Sequence, residues 1–460
     1  MKNMGKNDVQ FLILHHNVII RKTGKRYFLI RPDYDYSKND TIVLTEDGVS
    51  LLDYIKVQRS VAEIFHHFNV PINEQKSYMD YFDFLSRHGY IIFWNMQMEG
   101  KEFINSIADT EWEPDHIPTI ASIEVTPVCN FNCIHCYLDD KRTKNDEMKS
   151  SQILTIIDIL AEVGMLVLTF TGGEPLLRKD FKEIYLYAKR KGMQVELFTN
   201  GFLLDEELLQ LFREYPPLEI DISLYGSTDD KYEEVTGVKG AFTKVKNNIK
   251  RFKENGINIG LKSTIMSNLE DDIGGIFAVA KEFGINMRIR FDMIPTVNDE
   301  SKTNMQIDVK KAVELYATHA VDAYNSDLDV LCKSRADPNL RIGKHRYACG
   351  LGKCTCFIDY QGKVYPCIET RSLNIGISIF DENFESIWNK IGKYSYQQMV
   401  DEDEKKYKCL NCKNVSICRS CPAIRERKYG SPLIVKDEDC KFTNELSDYI
   451  LKSVVPTSDK

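Results

Sequence analysis

The first 128 residues of this 460-residue chain contain no cysteine, although the whole sequence has 13. Three thiols lie together at 129, 133 and 136, and the other ten fall between Cys332 and Cys440. An odd number of cysteines, confined to two regions of a long chain, argues against a secreted disulfide scaffold and predicts thiolate chemistry in a reducing cytoplasm. The opening MKNMGKNDVQFLILHHNVII has an apolar stretch, but His15, His16 and Asn17 break it and no small-residue cleavage site follows, so no signal peptide is expected. No run approaches the roughly 18 apolar residues of a membrane span. A large excess of either charge is also missing: 60 Lys or Arg against 68 Asp or Glu leave −8, which excludes nucleic-acid binding by bulk charge. What is present, 43% hydrophobic and 28% charged residues, is the composition of a globular protein. At about 150 residues per domain the length predicts about three domains.

Residues 17–32 read as two strands around a Thr-Gly-Lys turn, and 41–44 as a third. Three short helices are expected next. The first carries Val49, Leu51, Leu52 and Ile55; the second opens with the capping box Ser60-x-x-Glu63; the third carries Tyr78, Phe82 and Leu85 and is stopped by Gly89. Residues 90–94 read as a closing strand, completing a small winged-helix unit over 1–95. Residues 96–118, polar and carrying Pro114 and Pro118, read as a linker.

From 121 onward strands alternate with longer helical segments, the pattern of a parallel sheet built from βα units. Strands are expected at 121–127, 167–173, 195–200, 218–226, 259–266 and 287–295. Six units suit a partial, open (β/α)6 barrel over 119–300, with functional residues at the C-terminal ends of the strands. A bridging region follows at 301–345. Beyond it, over 346–460, periodicity fades and cysteine becomes dense, so bound metal is expected to organise the core.

Cys129-Asn-Phe-Asn-Cys133-Ile-His-Cys136 follows the first barrel strand directly. Three thiolates can hold a four-iron cluster with one iron left open, or His135 can complete a closed zinc site. The second strand ends in Thr171-Gly-Gly-Glu-Pro175, where glycine lets backbone approach a ligand and Glu174 can accept from an ammonium group. The two motifs, at the ends of consecutive strands, resemble the radical S-adenosylmethionine (SAM) enzymes. The resemblance implies a [4Fe-4S] cluster on Cys129, Cys133 and Cys136, whose open iron is chelated by SAM. It further implies that Gly172, Gly173 and Glu174 hold the methionine amine and that His135 lies by the adenine. Ser223 matches the family's fourth-strand serine, although Tyr225 stands where Asp is common. Lys262 is either a partner for the SAM carboxylate or a solvated lysine at a strand end.

Cys349, Gly362-x4-Cys367, Cys409-x2-Cys412-x5-Cys418-x2-Cys421 and Cys440 form the second cysteine pattern. Paired C-x2-C knuckles alone suit structural zinc. Behind a radical SAM core, their order resembles the SPASM extension with two auxiliary iron-sulfur clusters. That resemblance assigns Cys349, Cys367 and Cys421 to the first cluster, with Cys354 preferred to Cys356 as its remaining ligand. Cys409, Cys412, Cys418 and Cys440 go to the second. The final pair is C-x2-C where x3 is usual, and Cys332 reads as a buried small hydrophobe.

A winged helix suggests DNA binding, but residues 1–95 carry only 12 Lys or Arg against 11 Asp or Glu. The unit resembles instead the peptide-recognition element of enzymes that modify ribosomally made peptides, in which a leader peptide adds as a strand to a sheet edge. Arg21, Lys22, Lys25 and Arg26 near the turn read as a solvated charged hairpin. The resemblance thus implies a cytoplasmic α/β enzyme that uses SAM and three [4Fe-4S] clusters. Its expected partners are a precursor peptide and an electron donor such as flavodoxin or ferredoxin, with neither nucleic acid nor membrane. The expected product is a thioether or carbon–carbon crosslink. The alternatives are a formylglycine-forming maturase, in which Asp stands where this chain has Ile368, and a zinc-organised binding or regulatory protein without catalysis.

Overall fold

The computed structural model describes residues 11–14, 18–23, 26–31, 40–88, 90–94, 108–111, 118–138, 147–291, 305–320, 325, 328, 331, 355–392 and 408–454. Two hydrophobic cores organise them, one drawn from residues 12–91 and one from residues 121–450. Among these residues no helix is long and apolar enough to cross a membrane.

In the first unit, β1 (Phe11–Leu14) precedes the hairpin of β2 (Ile19–Thr23) and β3 (Arg26–Arg31), and β4 (Asp40–Leu44) pairs antiparallel with β3. Thr45 caps α1 (Glu46–Tyr54), which buries Val49, Leu51 and Leu52. After the two-residue β5 (Arg59–Ser60) comes α2 (Val61–His67), opened by the expected capping box: Glu63 N–H donates to Ser60 Oγ at 3.2 Å, and Ser60 N–H donates to Glu63 Oε2 at 2.7 Å. The third helix, α3 (Gln75–Arg87), buries Phe82 and Leu85, and β6 (Ile91–Trp94) pairs with β1. Gly89 lies outside the described residues. The stretch read as a linker differs from expectation at one place. There β7 (Ala108–Glu111) runs parallel to β2, giving the sheet order β4-β3-β2-β7. The sequence Ala-Asp-Thr-Glu has no strand-like alternation, and backbone pairing to an open edge forms it.

The second unit is the expected open barrel. Its strands, β8 (Ile120–Thr126), β9 (Val167–Gly172), β10 (Gln194–Thr199), β11 (Glu219–Ser223), β12 (Ile259–Thr264) and β13 (Met287–Arg290), lie parallel in sequence order. The helices α4 (Ser150–Glu162), α5 (Phe181–Arg190), α6 (Glu206–Glu214), α7 (Asp229–Thr236), α8 (Ala241–Glu254) and α9 (Ile273–Phe283) connect them. In α4 the buried residues Ile153, Ile156, Ile157 and Leu160 recur at helical spacing and form one apolar face. Beyond β8 the sheet continues. Here β14 (Thr355–Ile358) pairs parallel with β8, then β15 (Lys363–Tyr365) and β16 (Ile377–Ser378) follow antiparallel, so one nine-stranded sheet spans barrel and C-terminal region.

Charged residues cross the floor of the barrel. The Arg288 guanidinium on β13 reaches over β12 to Glu219 at 3.1 Å and to Asp221, both on β11. It passes above Gly260, where an added Cβ would lie 2.4 Å from the Arg288 guanidinium and 2.6 Å from Asp221 Oδ1. Gly260→Ala should therefore split this ion pair and cost about 2 kcal/mol of stability. Thermal unfolding would read this as a lowered midpoint, and an unchanged midpoint would show that the pair does not need the gap.

Candidate active site

The barrel strands end around a cavity of about 650 Å³. Cys129, Cys133 and Cys136, on the loop after β8, line it, as do His135, Gly172, Gly173, Ser223 and Lys262. The loop is held by backbone and packing. Asn132 N–H donates to Thr236 O at 2.9 Å, Ile134 N–H donates to Val235 O at 3.0 Å, and buried Phe131 packs edge-on against Phe202 and Tyr232. Cys129 Sγ accepts from Phe131 N–H at 3.4 Å and from the Asn200 amide at 3.8 Å, bonds of the kind that support a thiolate ligand. Among the described residues no three His, Cys, Asp or Glu side chains converge as the ligands of a single metal ion would. A cubane distributes its thiolates over separate irons.

At the end of β9 the chain is zipped onto the cysteine loop, with Gly173 N–H donating to Thr126 O at 2.7 Å and Glu174 N–H to Val128 O at 2.8 Å. A Cβ at Gly172 would lie 2.2 Å from Thr126 O, and one at Gly173 2.1 Å from Val128 O; Gly172 also has φ +137°. Only glycines allow this approach, which leaves backbone lining the cavity beside the thiols. The donor set and the glycine cradle fit SAM and a three-thiolate cluster.

Glu174 anchors this turn. Its buried carboxylate is absent from the cavity lining and accepts from Leu176 N–H (3.1 Å), Thr199 Oγ1 (2.8 Å) and Asn200 N–H (2.7 Å). It caps the turn after β9 and ties that strand to the end of β10. Burial raises it to about 7, with these three hydrogen bonds opposing. His135 meets Tyr225 edge-on at 4.5 Å between ring centroids, so the tyrosine fills the position where Asp is common.

The second group of cysteines is brought together in part. Burial, followed by the nearness of Cys409, Cys418 and Cys412, raises the Cys440 thiol, so the four expected ligands of the second auxiliary cluster are neighbours. Cys367 caps the 3-10 helix Ile368–Leu373, and Cys421 caps the helix Pro422–Tyr429 that packs against it. Cys367 and Ile368 open onto the same cavity as Cys129. Cys349, Cys354 and Cys332 lie outside the described residues. Cys356 sits on β14 in the hydrophobic core, and burial pushes its thiol well up.

Several cavity residues were not singled out in the sequence: Asn200 beside Cys129, Asp221, and Arg290, which reaches Glu369 at 3.3 Å. For Asp221 and Arg290 the signal is charge at alternate strand positions, Glu219 and Asp221 on β11 and Arg288 and Arg290 on β13; Asn200, neutral and just past β10, carries none.

Residues 123–276 match the radical SAM superfamily, and residues 349–422 match the SPASM iron-sulfur cluster-binding domain. The chain is similar to the AdoMet-dependent heme synthase of Methanosarcina barkeri, 26% identical over 333 residues, which are 68% of this chain and 93% of that protein. It is also similar to the antilisterial bacteriocin subtilosin biosynthesis protein AlbA of Bacillus subtilis, 27% identical over 59% of this chain and 60% of that one. Among solved structures, Streptococcus suis SuiB bound to precursor peptide SuiA has the same fold, with TM-score 0.61 and 17% identity over 94% of this chain and 100% of that chain. The non-catalytic zinc-organised alternative is thereby set aside. The chain therefore carries a radical SAM domain followed by a SPASM iron-sulfur domain and is an enzyme of the radical SAM type, with S-adenosylmethionine and [4Fe-4S] clusters as its cofactors.

Proposed function

We propose that this enzyme modifies a ribosomally made precursor peptide in the cytoplasm by hydrogen abstraction, installing a thioether or carbon–carbon crosslink. The N-terminal unit carries this reading. It has its own core, and among the described residues the outer edge of β4 pairs with nothing. Val43 is 59% exposed on that strand, and Phe84 is exposed on α3. An open edge with an apolar side chain suits strand addition by a leader, the backbone giving affinity and the pocket giving register. Subtilosin biosynthesis by AlbA and the precursor peptide bound to SuiB are consistent with it.

Cys129, Cys133 and Cys136 would hold a [4Fe-4S] cluster, which would supply the electron for reductive cleavage of SAM. The chain's own residues do the positioning. Gly172, Gly173 and Glu174 would hold the methionine amine, His135 would stand by the adenine, and Ser223 and Lys262 line the same cavity, where Lys262 would attract the carboxylate. The two auxiliary clusters fall to Cys349, Cys354, Cys367 and Cys421, and to Cys409, Cys412, Cys418 and Cys440. An external flavodoxin or ferredoxin supplies electrons. Ile368, beside Cys367 on the cavity wall, offers no base for formylglycine formation.

The test is anaerobic incubation of reconstituted enzyme, SAM and a Cys-bearing precursor peptide, with loss of two hydrogens expected. SAM cleavage with the peptide mass unchanged would refute the proposal. The heme-synthase likeness favours a second reading, which an iron-porphyrin assay checks. About two thirds of this chain accounts for nearly all of that protein, which leaves the remaining third of this chain without a counterpart there.

Lys262 gives a separate prediction. Burial brings its amine from 10.5 down to about 8, with Asp221, Glu196 and Glu219 opposing, and its Nζ lies 3.0 Å from the Phe198 ring centroid. The cation that would attract a carboxylate is present below about pH 8 and lost above it. SAM affinity should therefore fall about tenfold as pH rises through 8, and Lys262→Met should flatten that dependence. Calorimetric SAM titrations from pH 7 to 9.5 read both; equal pH dependence in the two proteins removes Lys262 from the site.

A further inference from the structure

Glu124 lies on β8 with no exposed surface. A buried carboxylate is costly unless charge and hydrogen bonds compensate it, so its partners explain its presence. They come from three segments. Tyr137, next to Cys136, donates its hydroxyl to Glu124 Oε1 at 2.9 Å. Arg371, four residues after Cys367, donates from Nη1 to both carboxylate oxygens at 3.1 Å. Tyr360, in the turn after β14, donates its backbone N–H to Oε2 at 3.3 Å, and its ring lies 5.0 Å from the Arg371 guanidinium. One carboxylate therefore joins the cysteine loop of the barrel to the helix opened by Cys367, at residues 247 positions apart.

We propose that Glu124 and Arg371 are positioning residues that hold the loop of Cys136 and the helix of Cys367 at a fixed separation, keeping the SAM-side and first auxiliary clusters within electron-transfer range. This rests on the assignment of Cys367 as an auxiliary ligand. Neither side chain lines the cavity, which places both behind its wall. Apolar residues of similar volume would hold the two layers together at least as well, but without directional bonds. A shared carboxylate with three donors fixes one alignment, and alignment governs whether each radical event is completed.

Full-chain Glu124→Gln and Arg371→Lys are compared with wild type after anaerobic reconstitution. The amide keeps one acceptor oxygen, enough for Tyr137 or Tyr360 but not both, and loses the charge for Arg371; the lysine keeps the charge but shortens the reach. The first readout is deoxyadenosine formed per peptide modified, expected to rise about tenfold in Glu124→Gln and less in Arg371→Lys, because misalignment wastes radical events. The second needs no peptide: the magnetic broadening between reduced clusters in the paramagnetic resonance spectrum, expected to weaken. The third is hydrogen exchange at the Tyr360 amide in the metal-free protein, expected to speed up. An unchanged ratio with a wild-type spectrum in both variants overturns the proposal. If Glu124→Gln fails to take up iron, Arg371→Lys at full iron content decides. If wild type leaves the peptide untouched, the peptide reading fails by itself, and the spectrum still decides the positioning.

Discussion

Replacing Cys129, Cys133 and Cys136 together by alanine should abolish deoxyadenosine formation and lower iron from about twelve to about eight per chain, one cubane of three. The protein should still fold, because backbone bonds to Val235 and Thr236 and the burial of Phe131 hold the loop, and alanine disturbs neither. Circular dichroism and melting of the metal-free variant should match those of the metal-free wild type. Replacing Cys409 and Cys412 should give the opposite division, with iron lost and SAM cleavage retained. If the triple variant still cleaves SAM, another set of ligands holds the catalytic cluster.

Removing residues 1–95 should separate the two halves of the proposed activity. The N-terminal core shares no buried residue with the barrel core, so SAM cleavage should stay within about twofold of the full chain. Modification of a leader-bearing peptide should fall about 100-fold, because leader binding turns capture of the modified segment into an intramolecular event. Val43→Asp tests the edge without removing the unit. A charge on that 59% exposed position should raise KM for the peptide about tenfold, about 1.4 kcal/mol, and leave kcat unchanged. The idea is lost if the intact enzyme modifies peptide lacking its leader as fast as the full precursor.

The barrel is legible because most of its strands are short, largely apolar runs joined by periodic helices, and local pattern fixes such units. The cysteine loop and the glycine pair were readable because the residues are contiguous. Glu174 was readable as part of the motif but not in its orientation. Thr199 and Asn200, which bind its carboxylate, belong to the next βα unit, and sequence order does not show how two strand ends meet. Gly260 looks like a weak point of β12, and its purpose appears only once Arg288 crosses above it. The strand Ala108–Glu111 has no side-chain signature because its partner's backbone, not its own composition, creates it. Glu124 with Arg371 is invisible for the same reason on a larger scale.

The pairing of β8 with β14 sets a timetable for biosynthesis. The barrel's first strand leaves the ribosome early, but Glu124 waits for Tyr360, 236 residues later, before that side of the sheet is covered. During most of synthesis β8 therefore presents an unpaired apolar edge, the condition under which nascent sheets associate wrongly. Such distant pairing also slows spontaneous refolding. Yield from denatured protein should therefore depend on dilution and temperature more than on iron supply. A chain truncated before residue 355 should accumulate as aggregate even though every barrel strand is present.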